Sequence, residues 1–140
     1  MRTIPSAALL RADIRATALV EFAIVLPILL CLLAGIVGYG RYLLIAHDAQ
    51  QIANDAARAT IAGLNTPERR SLAAAVVARG VRELGLSADR VSQTVADDAG
   101  RVTVTVRIDT GGDALLSTDL IPLPGRIVER RAVVAPGGIR

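Results

Sequence analysis

Residues that could do chemistry are few in this chain of 140 residues. His47 is the only histidine, Cys31 is the only cysteine and lysine is absent. Cys31 lies inside an apolar run and His47 lies among polar residues of a helical pattern, so no nucleophile can be paired with an oriented base. The missing lysine also excludes a glycine-rich phosphate loop that ends in Lys. We therefore predict that the protein is not an enzyme and uses no cofactor.

Three aspartates in one later segment, Asp109, Asp113 and Asp119, could in principle hold a hard cation such as calcium. Their spacing matches no loop with a defined ligand geometry, so we favour solvated loop acids and predict no metal site. The formal charge is +3, and the arginines are spread along the chain without interleaved aromatic residues. This pattern does not support a nucleic-acid partner.

Glu21 is the ionisable residue that needs an explanation, because it stands at the edge of a long apolar stretch. From Phe22 to Gly40 there are 19 consecutive uncharged residues. As a helix they would span about 28 Å, close to the roughly 30 Å hydrocarbon layer of a bilayer. One explanation is that Glu21 lies near Arg15 at the membrane interface, where its carboxylate reaches headgroup water.

A second explanation comes from the residues around Glu21, which read TALVEFAIVLPILL from Thr17 to Leu30 and GIVGYGR from Gly35 to Arg41. This segment resembles the N-terminal segment of TadE-like proteins. These are pseudopilins of the tight-adherence (Tad) pilus apparatus, a branch of the type IV pilus systems. The resemblance covers residues 15–62, about a third of the chain.

The resemblance implies processing and docking roles. In that family a prepilin peptidase removes a basic leader, and a Glu occupies the fifth position of the mature helix. The cut would then fall after Ala16, where the family usually has glycine, and Thr17 would become the first residue. The new α-amino cation at Thr17 could be neutralised by Glu21 of a neighbouring subunit at low dielectric. Phe22 and Pro27 complete the segment that we assign to docking.

The helical pattern continues beyond the span to about Ala62, where Gly63 ends it. The apolar stripe consists of Ile45, Ala49, Ile52, Ala56 and Ala59. A second helix begins at residues 65–68, with Thr66 as its cap and Pro67 in the first turn, and ends at Gly85. Its apolar face consists of Leu72, Val76, Val77, Val81 and Leu84.

Beyond Ser87 the period of the apolar residues changes to two. Val102, Val104, Val106 and Ile108 alternate with polar residues, which predicts a half-buried strand. A partner strand is expected over residues 91–96, a turn over 97–100, a long connection over 111–125 and a third strand over 126–135.

These elements predict an α+β membrane protein. It would have a long N-terminal helix, whose single transmembrane span continues as an amphipathic helix, then a short second helix and a small antiparallel sheet of about three strands. We predict a basic leader over residues 1–16, a TadE-like helix over 17–62 and a small extracytoplasmic domain over 63–140. The arginines of the leader place the N-terminus in the cytoplasm by the positive-inside rule.

The resemblance implies a non-catalytic, pilin-like component of Tad pilus assembly or secretion in the bacterial inner membrane. Its partners would be membrane lipid, other pilin-like subunits, the Tad assembly machinery and the prepilin peptidase. The alternative is an unprocessed single-pass anchor that carries an extracytoplasmic binding domain. Such an anchor needs neither a cut after Ala16 nor a glutamate at the fifth position after it.

Overall fold

The computed structural model describes residues 7–98, 100–113, 116 and 125–135, with side chains from residue 17 onward. Helix α1 covers Ala7–Ala59 and is extended by a 3₁₀ turn over Thr60–Ala62. Helix α2 covers Thr66–Glu83, and a 3₁₀ turn at Ala88–Arg90 leads into the sheet. The strands are β1 (Val91–Asp98), β2 (Arg101–Asp109) and β3 (Ile127–Val134). The predicted α+β fold, with a long first helix, a short second helix and a three-stranded antiparallel sheet, is confirmed.

The chain divides into two compact units, Met1–Val37 and Gly38–Arg140. The first unit is helical over its described part, and nearly all its side chains from Thr17 to Val37 are exposed. Helix α1 contains a segment that is long and apolar enough to cross a membrane. A helix that is apolar on all sides and unburied requires apolar surroundings. This is consistent with a single-pass membrane protein.

Within the second unit, α1 turns a stripe of small side chains towards the core. The buried residues of this stripe are Ile45, Ala46, Ala49, Ile52, Ala53, Ala56 and Ala57. The predicted apolar face is therefore confirmed, with Ala59 half-buried at its end. At Gly80 of α2 the helices approach closely, because a Cβ there would lie 2.6 Å from Cγ1 of Ile52.

The ends of α2 show which residues stop and start a helix. Asn65, with extended φ and ψ, is the cap, and its side chain accepts from the N–H of Glu68 at 2.9 Å. The expectation that Thr66 caps the helix is wrong, because Thr66 is already helical and its hydroxyl donates to Asp97 at 3.0 Å. At the other end Gly85 has φ of +65°, and the N–H of Leu86 donates to Val81. This left-handed glycine cap confirms the predicted stop.

The sheet has the order β1-β2-β3, so β2 is central. Val102, Val104, Val106 and Ile108 of β2 are fully buried, which confirms the alternating pattern. Val128 and Ala132 of β3 extend the same face. Because apolar residues of β2 occupy alternate positions, they share one side of the sheet and form the floor of the core.

Strand β1 is longer than expected. It continues to Asp98, which pairs with Arg101, so the connection in the hairpin shrinks to residues 99–100. Asp97 pairs with Val102 in the same ladder, and its carboxylate also accepts hydrogen bonds from Thr66 and Arg69 of α2. Most of the predicted 111–125 connection, including Asp119, lies outside the described residues.

Side chains occupy two backbone acceptors of β3. The amide of Gln50, from α1, donates to the carbonyl of Arg131 at 3.3 Å. The guanidinium of Arg130 donates to the carbonyl of Glu129 at 2.9 Å. Thr110 N–H donates to Arg126 O just before the strand, so the carbonyl of residue 126 points towards β2. Because the direction of the carbonyls alternates along an antiparallel strand, those of residues 129 and 131 point away from β2.

Candidate functional site

The predicted site residues all lie on α1, in the first unit. The Ala16–Thr17 bond lies within the helix, and the side chains of Thr17, Glu21 and Pro27 are exposed. Phe22 leaves 58% of its surface uncovered. The helix continues through Pro27, whose missing N–H removes one helical hydrogen bond.

Glu21 lies on the same side of α1 as Thr17 and follows it by one helical turn. No charged residue occurs between Glu21 and Arg41 along the apolar run. Nineteen uncharged residues lie between these two along the chain. Within the described side chains the Glu21 carboxylate has no ion-pair partner. Any cation that neutralises it in a membrane must come from the N-terminal side or from another molecule.

Residues 16–58 match the family model described as TadE-like protein.

This segment is similar to TadE-like proteins.

The TadE-like segment begins at the residue before Thr17, includes Glu21, Phe22 and Pro27, and ends one residue before the last residue of α1. It contains both the exposed apolar part of α1 and the alanine-rich stripe of the second unit. Helix α2 and the sheet lie outside the match. No curated protein and no solved structure matches the chain. The match links the TadE-like segment to a pilus-assembly context, and the apolar helix indicates contact with lipid.

Outside the TadE-like segment, a polar cluster fastens α2 to the sheet. Arg69 Nη1 donates to Asp97 Oδ2 at 2.8 Å, and Arg69 Nε donates to the carbonyl of Gly63 at 3.0 Å. The hydrogen bond from Thr66 lowers the pKa of Asp97, with a further contribution from Arg69. These contacts half-bury Arg69, whose side chain leaves 19% of its surface exposed.

A second polar cluster lies on the outer side of the sheet. Arg107 Nε donates to Glu129 Oε2 at 2.6 Å across the strands, and Arg131 Nη2 donates to Glu129 Oε1 at 3.0 Å. These two bonds lower the pKa of the Glu129 carboxyl. The cross-strand pairing of residues 107 and 129 explains a cluster that spacing along the sequence does not indicate.

The remaining candidates for chemistry stay apart. His47 is exposed on the polar side of α1, and Cys31 is exposed in the apolar part of the first unit. Asp113 is bound to Arg41 at 3.0 Å, while Asp109 accepts from the N–H of Gly111 at 2.7 Å. Among the described residues, no group of three or more His, Cys, Asp or Glu side chains is placed to hold a metal ion.

An open groove of about 450 Å³ runs between α2 and β1. Its walls are mainly apolar, from Val77, Val81, Leu86 and Val91, with Gln93 at one side. Gln93 Oε1 is buried and has no hydrogen-bond partner in the described part of the chain. The groove places no nucleophile beside a base.

Proposed function

We propose that the protein is a non-catalytic, pilin-like component of a Tad-type pilus assembly or secretion apparatus. It acts by associating through its N-terminal helix with similar helices in the bacterial inner membrane. The observation that carries the proposal is the TadE-like match over residues 16–58, because this segment includes both Glu21 and the exposed apolar helix.

The proposed mechanism is charge pairing between subunits. A prepilin peptidase cuts after Ala16 and leaves an α-amino cation at Thr17. The carboxylate of Glu21 on an incoming subunit neutralises that cation, which sets the axial register of the two helices. In a medium of low dielectric an unpaired carboxylate is costly, so the pair favours one register over its neighbours. Phe22 and the apolar residues that follow supply the helix contact.

The proposed topology follows the charges. Arg2, Arg11 and Arg15 hold the leader in the cytoplasm, and the second unit faces the extracytoplasmic side. The peptidase, pilin-like subunits and the Tad machinery are the proposed protein partners. The chain is a substrate of the peptidase and does no chemistry of its own.

The test of processing is the mature N-terminus, measured by mass spectrometry on protein from host membranes with and without the prepilin peptidase. We expect a start at Thr17 only when the peptidase is present. A leader that stays intact in both strains would contradict the proposal and favour the single-pass anchor that carries a binding domain.

The test of docking compares Glu21→Gln with Glu83→Gln, a matched loss of one carboxylate at an exposed site of α2. Breaking a buried ion pair costs several kcal/mol, so Glu21→Gln should reduce incorporation into assemblies by at least about tenfold. Glu83→Gln should incorporate as the native chain does. Equal incorporation of both variants would show that Glu21 does not guide docking.

A further inference from the structure

Three arginines lie at one end of the sheet, where β1 and β3 begin and β2 ends. Arg90 precedes β1 and Arg126 precedes β3. Arg41, on α1, reaches the same end through the bond from its Nε to Asp113 Oδ2. These three residues form what we call the arginine cluster, and all belong to the second unit.

The arginine cluster surrounds a tight turn with two glycines at its tip. The N–H of Asp113 donates to the carbonyl of Thr110 at 3.0 Å, which closes the turn. A Cβ on Gly112 would overlap the guanidinium of Arg90, and a Cβ on Gly111 would lie 3.1 Å from Nε of Arg126. The missing side chains of Gly111 and Gly112 therefore let two guanidinium groups lie against the turn.

Two of these cations make no ion pair with the acids that the structure describes near the turn; the Asp109 carboxylate is a neighbour of Arg126, because a Cβ on Gly111 would lie 3.0 Å from Asp109 Oδ1 and 3.1 Å from Arg126 Nε. The carboxylate of Asp113 is engaged by Arg41, and that of Asp109 accepts from the backbone of the turn. Asp89, next to Arg90 in the sequence, is exposed. Within the described part of the chain, Arg90 and Arg126 make no ion pair. Their guanidinium groups are thus available to an outside anion with oxygen acceptors.

The residue that holds this turn, Arg41, lies at the end of the apolar run. Arg41 directly follows the apolar run Phe22–Gly40, and the only tyrosines of the chain, Tyr39 and Tyr42, flank it. Tyrosine and arginine at the end of an apolar span are typical anchors at headgroup level. When the apolar run crosses a membrane, Arg41 lies at that level, and its bond to Asp113 holds the turn beside it.

We propose that Arg90 and Arg126, on a turn held by Arg41, bind the phosphate of anionic phospholipid headgroups. The inference rests on the membrane insertion assumed in the proposed function. Planar guanidinium groups suit phosphate oxygens. Each arginine near an anionic surface contributes about a fivefold preference, so the pair should give about 25-fold.

The test measures hydrogen exchange at residues 109–113 in the full chain, reconstituted into vesicles. One set of vesicles contains phosphatidylcholine alone, and the other contains equal parts of phosphatidylcholine and phosphatidylglycerol. We expect exchange at the turn to slow at least about tenfold in the anionic vesicles, and the effect to weaken as salt is raised. The double variant Arg90→Gln/Arg126→Gln should lose this slowing.

A matched control is Arg70→Gln/Arg101→Gln, which removes two exposed arginines at the opposite end of the sheet. It should retain the slowing, and equal loss in both double variants would overturn the proposal. Inorganic phosphate added to phosphatidylcholine vesicles should leave exchange unchanged; slowing there would reveal a general anion site and overturn the lipid assignment.

Flotation of the vesicles distinguishes a failure of the proposed function from a failure of the headgroup site. A chain that does not float with the vesicles would contradict its function as a membrane component. A chain that floats but exchanges equally in both lipid mixtures would overturn the headgroup site and leave the proposed function intact.

Discussion

Arg69 and Asp97 join the first turn of α2 to the last residues of β1, with 2.8 Å between Nη1 and Oδ2. The hydroxyl of Thr66 donates to the same carboxylate oxygen, and the Arg69 side chain also reaches the carbonyl of Gly63. A single guanidinium thus connects the segment between the helices, the start of α2 and the sheet. The carboxylate must be ionised to accept all of these bonds at full strength.

Acid should weaken this connection. The pKa of Asp97 is below its ordinary value, mainly because Thr66 donates to the charged form, with Arg69 adding to the effect. A lowered folded-state pKa contributes stability above the unfolded pKa, about 3.9, and loses it as the pH falls through the folded value. We expect that less urea is needed to expose the β1 amides to hydrogen exchange once the pH is below about 4.

The variant Asp97→Asn removes the titrating group. At neutral pH it should expose β1 at lower urea than the native chain, and its acid dependence below pH 4 should be shallower. Asp98→Asn, at the exposed neighbouring position, is the control and should keep the native dependence. An unchanged pH profile in Asp97→Asn would assign the acid sensitivity to other groups.

The cap of α2 offers a test of local stability. Asn65→Ala removes the acceptor for the N–H of Glu68 and should destabilise the second unit by about 1 kcal/mol. Asn65→Asp keeps an acceptor and adds negative charge at the helix N-terminus, so it should be neutral or stabilising. Urea-dependent hydrogen exchange of α2 measures both variants. Equal losses in both would mean that the side-chain amide, rather than the acceptor oxygen, is required.

The two faces of the sheet should respond differently to the same truncation. Val104 is fully buried, and Val104→Ala should cost about 2 kcal/mol through lost burial and the cavity left behind. Val133 lies one position from the residue paired with Val104 and leaves 54% of its surface exposed. Val133→Ala should change the unfolding free energy little. A similar loss in both would indicate that the outer face is covered in the folded protein.

The close approach of α1 and α2 can be tested because the effect of Gly80→Ala on stability should change sign when Ile52 is truncated. Gly80→Ala places a methyl group 2.6 Å from Cγ1 of Ile52, and this overlap should destabilise the unit by about 1 kcal/mol or more. In an Ile52→Ala background the overlap is removed, so Gly80→Ala should stabilise by about 1 kcal/mol, because alanine is the better helix former. Hydrogen exchange of α2 in all four chains completes the cycle. Additive effects would contradict the contact.

The spacing of apolar residues predicted most of the helices and strands, because that spacing follows from which face of each element is buried. The stripe from Ile45 to Ala56 and the alternation from Val102 to Ile108 each reflect one buried face. The cap at Asn65 was missed, since Asn and Thr at adjacent positions are both good caps and only the backbone angles distinguish them. The contact of Arg69 with Asp97 depends on residues far apart along the chain.

The docking role of Glu21 does not follow from the pattern of apolar residues. Its position at the edge of an apolar run indicates that it needs an explanation, whereas the docking role comes from the family resemblance. The proposed processing at Ala16 and the proposed pairing of Glu21 would involve other molecules, so the fold of one chain does not determine them. The arginine cluster could not be predicted either, because its members come from three separate segments that meet only when the sheet forms.

The occupied carbonyls of β3 have a consequence for behaviour at high local concentration. An edge strand with open backbone groups is a template on which another chain can add a strand, the first step towards fibrillar aggregation. Gln50 and Arg130 already donate to two outward acceptors of β3, and a new strand would have to displace both bonds. The charged run Glu129-Arg130-Arg131 adds a desolvation cost to such an approach. In an assembly of the proposed kind, this edge of the sheet should therefore resist pairing with the sheet edge of another copy.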